Sequence, residues 1–236
     1  MAIVSFVQPM RPSLRMACGW VALSLTRRNQ LSVNDDRPIM LAPPADPAPL
    51  GLAGFALTTF LLSAANAGWT RGATALNSGE WLPYALVYGG LAQLLAGMWE
   101  FRNRNVFGAT AFSTYGSFWI GLWFYVRYIA AIPGENVAND LGWILLAFAI
   151  FTFYMLIFSM QANAAVFSVF LGLEVALIVL CIGRFAGNAN LIKVGGYVGI
   201  VTAALAWYAS AAGIANGMGG RVSLPVGPPL IRSRAG

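Results

Sequence analysis

The stretch from Asp46 to Trp69 constrains this chain more than any other. It opens Asp46-Pro-Ala-Pro-Leu-Gly-Leu and then runs from Leu50 to Trp69 without a charged residue. About 20 apolar residues in succession are enough to cross a bilayer as a helix. Asp46 followed by proline reads as a helix start, because the first-turn amides have no intrahelical partner and proline lacks an N–H anyway. The run is not uniformly apolar: Gly51, Gly54, Thr58, Thr59, Ser63 and Asn66 recur at roughly helical spacing. A membrane helix with small and hydroxyl residues on one side either packs closely or lines a polar path. Both roles stay open on this segment alone. So does a third reading, in which the free amides and positive dipole end near Asp46–Pro49 receive a small anion rather than merely being capped.

Composition supports a membrane setting. Of 236 residues, 58% are hydrophobic and 9% are charged, against about 25% charged in a soluble domain. The chain has no histidine, which excludes histidine metal sites, catalytic triads and histidine proton relays. Cys18 and Cys181 have no metal-ligand spacing and form no disulfide framework. The net charge of +6 comes from arginines at the ends of apolar runs. Topology and lipid headgroups account for them there, not nucleic acid. No cofactor is expected, and nothing points to an enzyme.

Six apolar runs stand out, at about Leu50–Trp69, Trp81–Trp99, Val106–Val126, Leu141–Ser159, Asn163–Gly183 and Val194–Ala215. Their lengths predict an all-α membrane protein with six transmembrane helices in one domain, residues 46–216. Short connections predict that neighbours in sequence lie antiparallel in space. Residues 217–236 form a tail. Residues 1–45 read as a disordered or interfacial N-terminal tail: Met16–Thr26 is too short to span, and no signal-peptide cleavage pattern follows it. The organised pattern begins just after Met40, so residues 1–39 are a candidate start-site extension.

Lysine and arginine counts set an expected orientation. The N-tail, the loop holding Arg102 and Arg104, and the C-tail together carry ten. The opposite side carries four: Arg71, Arg127, Arg184 and Lys193. Both termini are therefore expected in the cytoplasm of a multi-pass protein of the cell membrane.

Two polar stripes and one acid mark candidate chemistry. Phe55, Thr59, Ser63 and Asn66 share one face of the first run, and Thr110, Ser113, Thr114 and Ser117 share one face of the third. Each stripe suits interhelical hydrogen bonding as well as it suits a pore. Glu174 is the one charge deep within a run. A buried acid in a membrane suits either proton coupling or a structural hydrogen bond. Gly89, Gly90 and Gly97, with Gly195, Gly196 and Gly199, supply the small residues of close helix packing.

Several segments together resemble the acetate uptake transporter family, which includes the bacterial succinate–acetate permease. Asp46-Pro-Ala-Pro-Leu-Gly-Leu is similar to that family's Asn-Pro-Ala-Pro-Leu-Gly signature. Residues 100–119, Ile182-Gly-Arg-Phe-Ala-Gly-Asn188 and Leu224-Pro-Val-Gly227 resemble three further blocks, in the same order. The resemblance implies six helices per protomer, a homohexamer with one path in each protomer, and acetate or another short carboxylate, sometimes succinate, as cargo. It also implies a narrow hydrophobic constriction of Phe55, Tyr115 and Leu173.

Candidate path residues are then Asp46, Pro47, Pro49, Leu50, Gly51, Thr58, Thr59, Asn66, Gln93, Thr110, Ser113 and Thr114. Neutral hydroxyls and amides are expected to hold the carboxylate, rather than a trapping arginine. An apolar neck disfavours a bare anion, so co-transport with a proton, with Glu174 as candidate carrier, stands beside passage as the neutral acid. Asp46 departs from the family's asparagine, and Glu174 is not a family feature. Two other readings remain: a channel for a neutral solute such as urea or an amide, and a non-conducting membrane sensor or scaffold.

Overall fold

The structure, a computed structural model, describes residues 44–70 and 79–231. The expectations for Met16–Thr26, the Met40 start and Arg71 fall outside the described residues. The described residues belong to one compact unit, Pro43–Gly236.

Among the described residues the secondary structure is helical, without strands. Helix α1 is Ala48–Ala67, α2 is Leu82–Leu86, α3 is Gln93–Arg102 and α4 is Val106–Phe124. Helix α5 is Val137–Ser159, α6 is Ala164–Phe185 and α7 is Ala189–Gly217. A π-helical turn, Val87–Ala92, joins α2 to α3 without a break, and a second, Tyr125–Ile129, extends α4.

Four helices (α1, α5, α6 and α7) are long and apolar enough to cross a membrane by length and composition. Two expected spans fall short of that measure for local reasons. The rod over residues 82–102 is divided by its π turn, and α4 is diluted by Gly108, Gly116, Gly121 and four Ser/Thr residues. The apolar side chains that do not reach the interior face outward, among them Ile150, Phe153, Val194, Val201 and Leu171. An apolar exterior of this kind fits lipid or a neighbouring subunit rather than water.

Asparagine starts four of the helices. Asn105, Asn136, Asn163 and Asn188 each accept a hydrogen bond from an amide of the first turn that follows. This is the short polar side chain's favoured role at a helix start. At α1 the carboxylate of Asp46 accepts from the Ala48 N–H at 3.0 Å. Regular helix begins at Ala48 with Pro47 at the N-cap and no side chain capping it, so the expected Asp46 cap lies one residue too early and bonds only this first amide. At the other end Gly68 takes a left-handed conformation, φ 82°, and its N–H turns back to the Ala65 carbonyl at 3.1 Å.

The rods close into a ring. Helix α1 packs most extensively on α7, then α7 on α6, α6 on α5, α4 on the 82–102 rod, and that rod back on α1. The first and last helices are therefore close neighbours. Glycines make this possible: a Cβ on Gly196 would lie 2.8 Å from the Ser63 carbonyl oxygen, and Gly199 sits directly against the Ser63 side chain. The expectation that sequence neighbours pack together fails at one joint, where α4 and α5 touch only thinly. Aromatic side chains fill that seam and hold the backbones apart, with Phe118 and Phe148 rings 4.7 Å apart and Tyr115 and Phe151 rings 5.3 Å apart.

The C-terminal segment folds back on the helix ends. Leu224 exchanges two 3.0 Å hydrogen bonds with the Asn216 amide, and the Val226 carbonyl accepts from the Ala165 N–H at 2.9 Å.

Candidate functional site

The centre of the ring is not filled. A cavity of about 60 Å³ lies between α1, α4, α5, α6 and α7. Helix α1 contributes Phe55, Thr59, Leu62, Ser63 and Asn66, the polar face seen in its sequence. Helix α4 contributes Tyr115, Phe118 and Trp119, and α6 contributes Leu173 and Leu177. Phe55, Tyr115 and Leu173, widely separated in sequence, thus meet around one space. Their exposures of 5%, 5% and 9% make it a closed neck in this conformation.

Tyr115 is fixed in place. Its hydroxyl lies 2.9 Å from Thr152 Oγ1. Thr152 gives its own proton to the Phe148 carbonyl at 2.7 Å, so the Tyr115 O–H is the donor of the pair. The Phe55 and Tyr115 rings are 6.0 Å apart, and Phe170 lies 6.2 Å from Tyr115.

Phe170 also lines a second, larger space on the Asp46 side. This vestibule, about 790 Å³, is bordered by Asp46, Leu52, Asn103, Asn105, Thr110 and Asn163 among others. Only a layer of aromatic rings separates it from the neck. Beneath it Glu100 is fully buried: one oxygen accepts from Asn103 Nδ2 at 3.3 Å and the other has no partner. A side pocket of about 110 Å³ by Asp46 and Pro49 is closed by Val226 of the C-terminal segment.

On the far side a third space, about 40 Å³, shares Leu62, Asn66, Phe118, Leu145 and Leu180 with the neck cavity. Arg184 joins this lining and donates from Nη2 to Asn66 Oδ1 at 3.3 Å. The expectation of purely neutral donors therefore omitted a cation. Vestibule, neck and far pocket run in sequence through the ring.

Two residues that line the neck cavity carry a buried polar atom with no hydrogen-bond partner among the described residues, Thr59 Oγ1 and Trp119 Nε1. Buried polar groups are nearly always paired. Two unpaired donors in the wall of a cavity are groups that water or a polar solute could recruit. Glu174, next to Leu173 in sequence, is 7% exposed and lines none of the three spaces, and its Oε2 lacks a partner among the described residues.

Other expected path residues have different positions. Thr58 is fully buried and donates to the Gly54 carbonyl at 2.9 Å and the Tyr84 carbonyl at 3.4 Å. It pins α1 to the rod just before the π turn. Gly51 packs against Phe112, Gln93 lies between α1 and the rod, and Ser113 faces Gly97. None of these lines the three spaces along the ring axis. Neither do Pro47, Leu50 and Thr114, and Leu50 is 46% exposed. Pro49 borders the side pocket and accepts from Ser210 Oγ at 2.7 Å. The hydroxyl stripe of α4 is therefore divided: Thr110 borders the vestibule, Ser113 packs on the neighbouring rod and Ser117 is exposed. The helix's apolar stripe, Tyr115, Phe118, Trp119 and Leu122, faces the path.

Residues 30–228 match one protein family throughout. The chain belongs to the GPR1/FUN34/yaaH family. Several similar proteins carry transport names. The chain is 41% identical over 198 residues to acetate permease A of Emericella nidulans, covering 77% of this chain and 65% of that one. It is 38% identical over 188 residues to the succinate-acetate/proton symporter SatP of Escherichia coli, covering 78% and 95%. It is 40% identical over 178 residues to ammonia transport outward protein 2 of Saccharomyces cerevisiae, and spans 62% of that protein's length. In three dimensions it superposes on the bacterial acetate channel SatP with a TM-score of 0.71 at 36% identity, covering 78% of this chain and 99% of that one. The membership agrees with the resemblance read from the four sequence blocks.

Proposed function

We propose that this protein carries acetate and similar short carboxylates, including succinate, across a membrane through the centre of its helical ring. One observation carries the reading: Phe55, Tyr115 and Leu173 converge on a cavity whose wall also holds Thr59 and Trp119, each with an unpartnered buried polar atom. The names of the permease, symporter and channel relatives supply the cargo.

The vestibule admits solute beside Asp46. The aromatic layer passes only small molecules. Within the neck, the Thr59 hydroxyl and Trp119 N–H replace part of the carboxylate's hydration shell while apolar walls take its carbon chain. Hydrogen bonds from neutral groups bind without a deep trap, which suits conduction. Glu174, a buried acid next to Leu173 in sequence with an unpartnered oxygen, is the group we assign to a proton moving with the anion.

The rods over residues 82–102 and 106–129 cross the membrane with α1, α5, α6 and α7, giving six spans. Both termini face the cytoplasm, and six copies assemble, each with its own path. The outward apolar faces of the helices support contact with lipid and with neighbouring copies.

Radiolabelled acetate uptake into proteoliposomes, with and without an inward proton gradient, tests the reading. No uptake above empty liposomes under either condition would sink it. A second reading, passage of a small neutral solute, draws on the mostly apolar neck and on the yeast relative named for ammonia. Swelling assays with urea and ammonia against acetate separate the two.

A further inference from the structure

We infer that Arg184 and Asn66 form a carboxylate-docking site at the end of the path opposite Asp46. The site rests on the transport reading above and gives it a residue-level entry point on that side.

Arg184 stands in the last turn of α6, where any cation is favoured by the helix dipole. That alone would leave it a surface residue. Instead its side chain lines the far pocket among Leu62, Trp81, Leu141 and Leu180. No carboxylate pairs with it among the described residues, and its one hydrogen bond goes to Asn66 Oδ1. Asp140, an acid at the start of α5, is already engaged by the Tyr125 O–H at 2.8 Å.

The bond to Asn66 matters for two reasons. It holds the guanidinium in place before a ligand arrives, so less freedom is lost on binding. It also turns the Asn66 Nδ2 group into a free donor, since Oδ1 is the acceptor. Asn66 lines both the far pocket and the neck cavity. A small carboxylate can therefore meet the Arg184 fork and the Asn66 amide together, with its short chain against Leu180 and Leu145. Arginine pairs with carboxylate through parallel N–H donors, a stronger contact than a neutral one.

The two ends of the path consequently differ in charge. Asp46 borders the vestibule end, and Asn66 sits twenty residues further along α1, about 30 Å away at 1.5 Å per residue. The Arg184 end captures the anion and the Asp46 end does not.

Saturation of acetate uptake in proteoliposomes, for wild type, R184Q, R184K and N66D, tests the site. N66D guards against misfolding, because its new carboxylate pairs with Arg184 and occupies the cation internally. The expected result is a rise of about tenfold or more in half-saturation for R184Q and N66D, with R184K between them and wild type. A folded R184Q or N66D with the wild-type half-saturation overturns the site and leaves the transport reading standing. If wild type itself takes up no acetate, the transport reading fails, and binding decides the site separately. Acetate should then still raise the thermal midpoint of purified wild type and not of N66D. Equal shifts in the two proteins, or none in wild type, overturn it.

Discussion

Tyr115 and Thr152 share a 2.9 Å hydrogen bond across the thin seam between α4 and α5. With the Tyr125–Asp140 bond at 2.8 Å it is one of two polar pins in a joint otherwise held by aromatic rings, and it fixes the ring that closes the neck. Tyr115→Phe should keep the neck closed and lower stability by about 1 kcal/mol, the net worth of such a bond. Tyr115→Ala should open it. Liposome swelling with four- and five-carbon monocarboxylates should then speed up several-fold, and an unchanged size cut-off would contradict the assignment.

Thr58 and Thr59 are adjacent yet serve different ends. Thr58 is bonded to one carbonyl of its own helix and one of the neighbouring rod, whereas the Thr59 hydroxyl is buried without a partner in the cavity wall. Thr58→Val should cost about 1 kcal/mol in unfolding with transport largely intact. Thr59→Val should leave stability near wild type and reduce acetate uptake several-fold. Trp119→Phe should act as Thr59→Val does. The reverse pattern would show that the donors do not face the solute.

Close approach of α1 and α7 depends on Gly196 and Gly199. A larger side chain at Gly196 meets Ser63 and Ala67 backbone, which cannot yield as a flexible side chain can. Gly196→Leu should destabilise the protein by roughly 1–3 kcal/mol or more, as overpacking does. Thermal unfolding in detergent measures it.

Glu174→Gln retains shape and removes the proton-carrying group. In wild type an inward proton gradient should accelerate acetate uptake. In the variant, uptake down a concentration gradient should persist while most of that acceleration disappears. An equal response to the gradient would make Glu174 a structural residue.

The face of α1 was legible because its polar residues repeat at helical spacing, and Phe55, Thr59, Ser63 and Asn66 do line one cavity. The same pattern misled at α4. There Ser113 is used for packing against Gly97, and Ser117 donates to the Ser113 carbonyl within its own helix. Hydroxyls that bond within their own helix can face any direction. Trp119 gave no signal, since an aromatic residue in an apolar run does not reveal whether its N–H has a partner. Arg184 was hidden by its place at a run's end, where topology already explained it. The π turn at Val87–Ala92 follows directly after the Thr58–Tyr84 contact, and no local pattern announces either. The four asparagine caps, by contrast, stand openly before their helices.

The central claim is that solute passes between Phe55, Tyr115 and Leu173. Leu173→Trp tests it most directly, because a larger ring at that wall fills the neck while the vestibule and far pocket stay intact. Acetate uptake into proteoliposomes should fall to near the empty-liposome level, with the variant still folded by its thermal transition. Wild-type uptake in a folded Leu173→Trp protein would contradict the path.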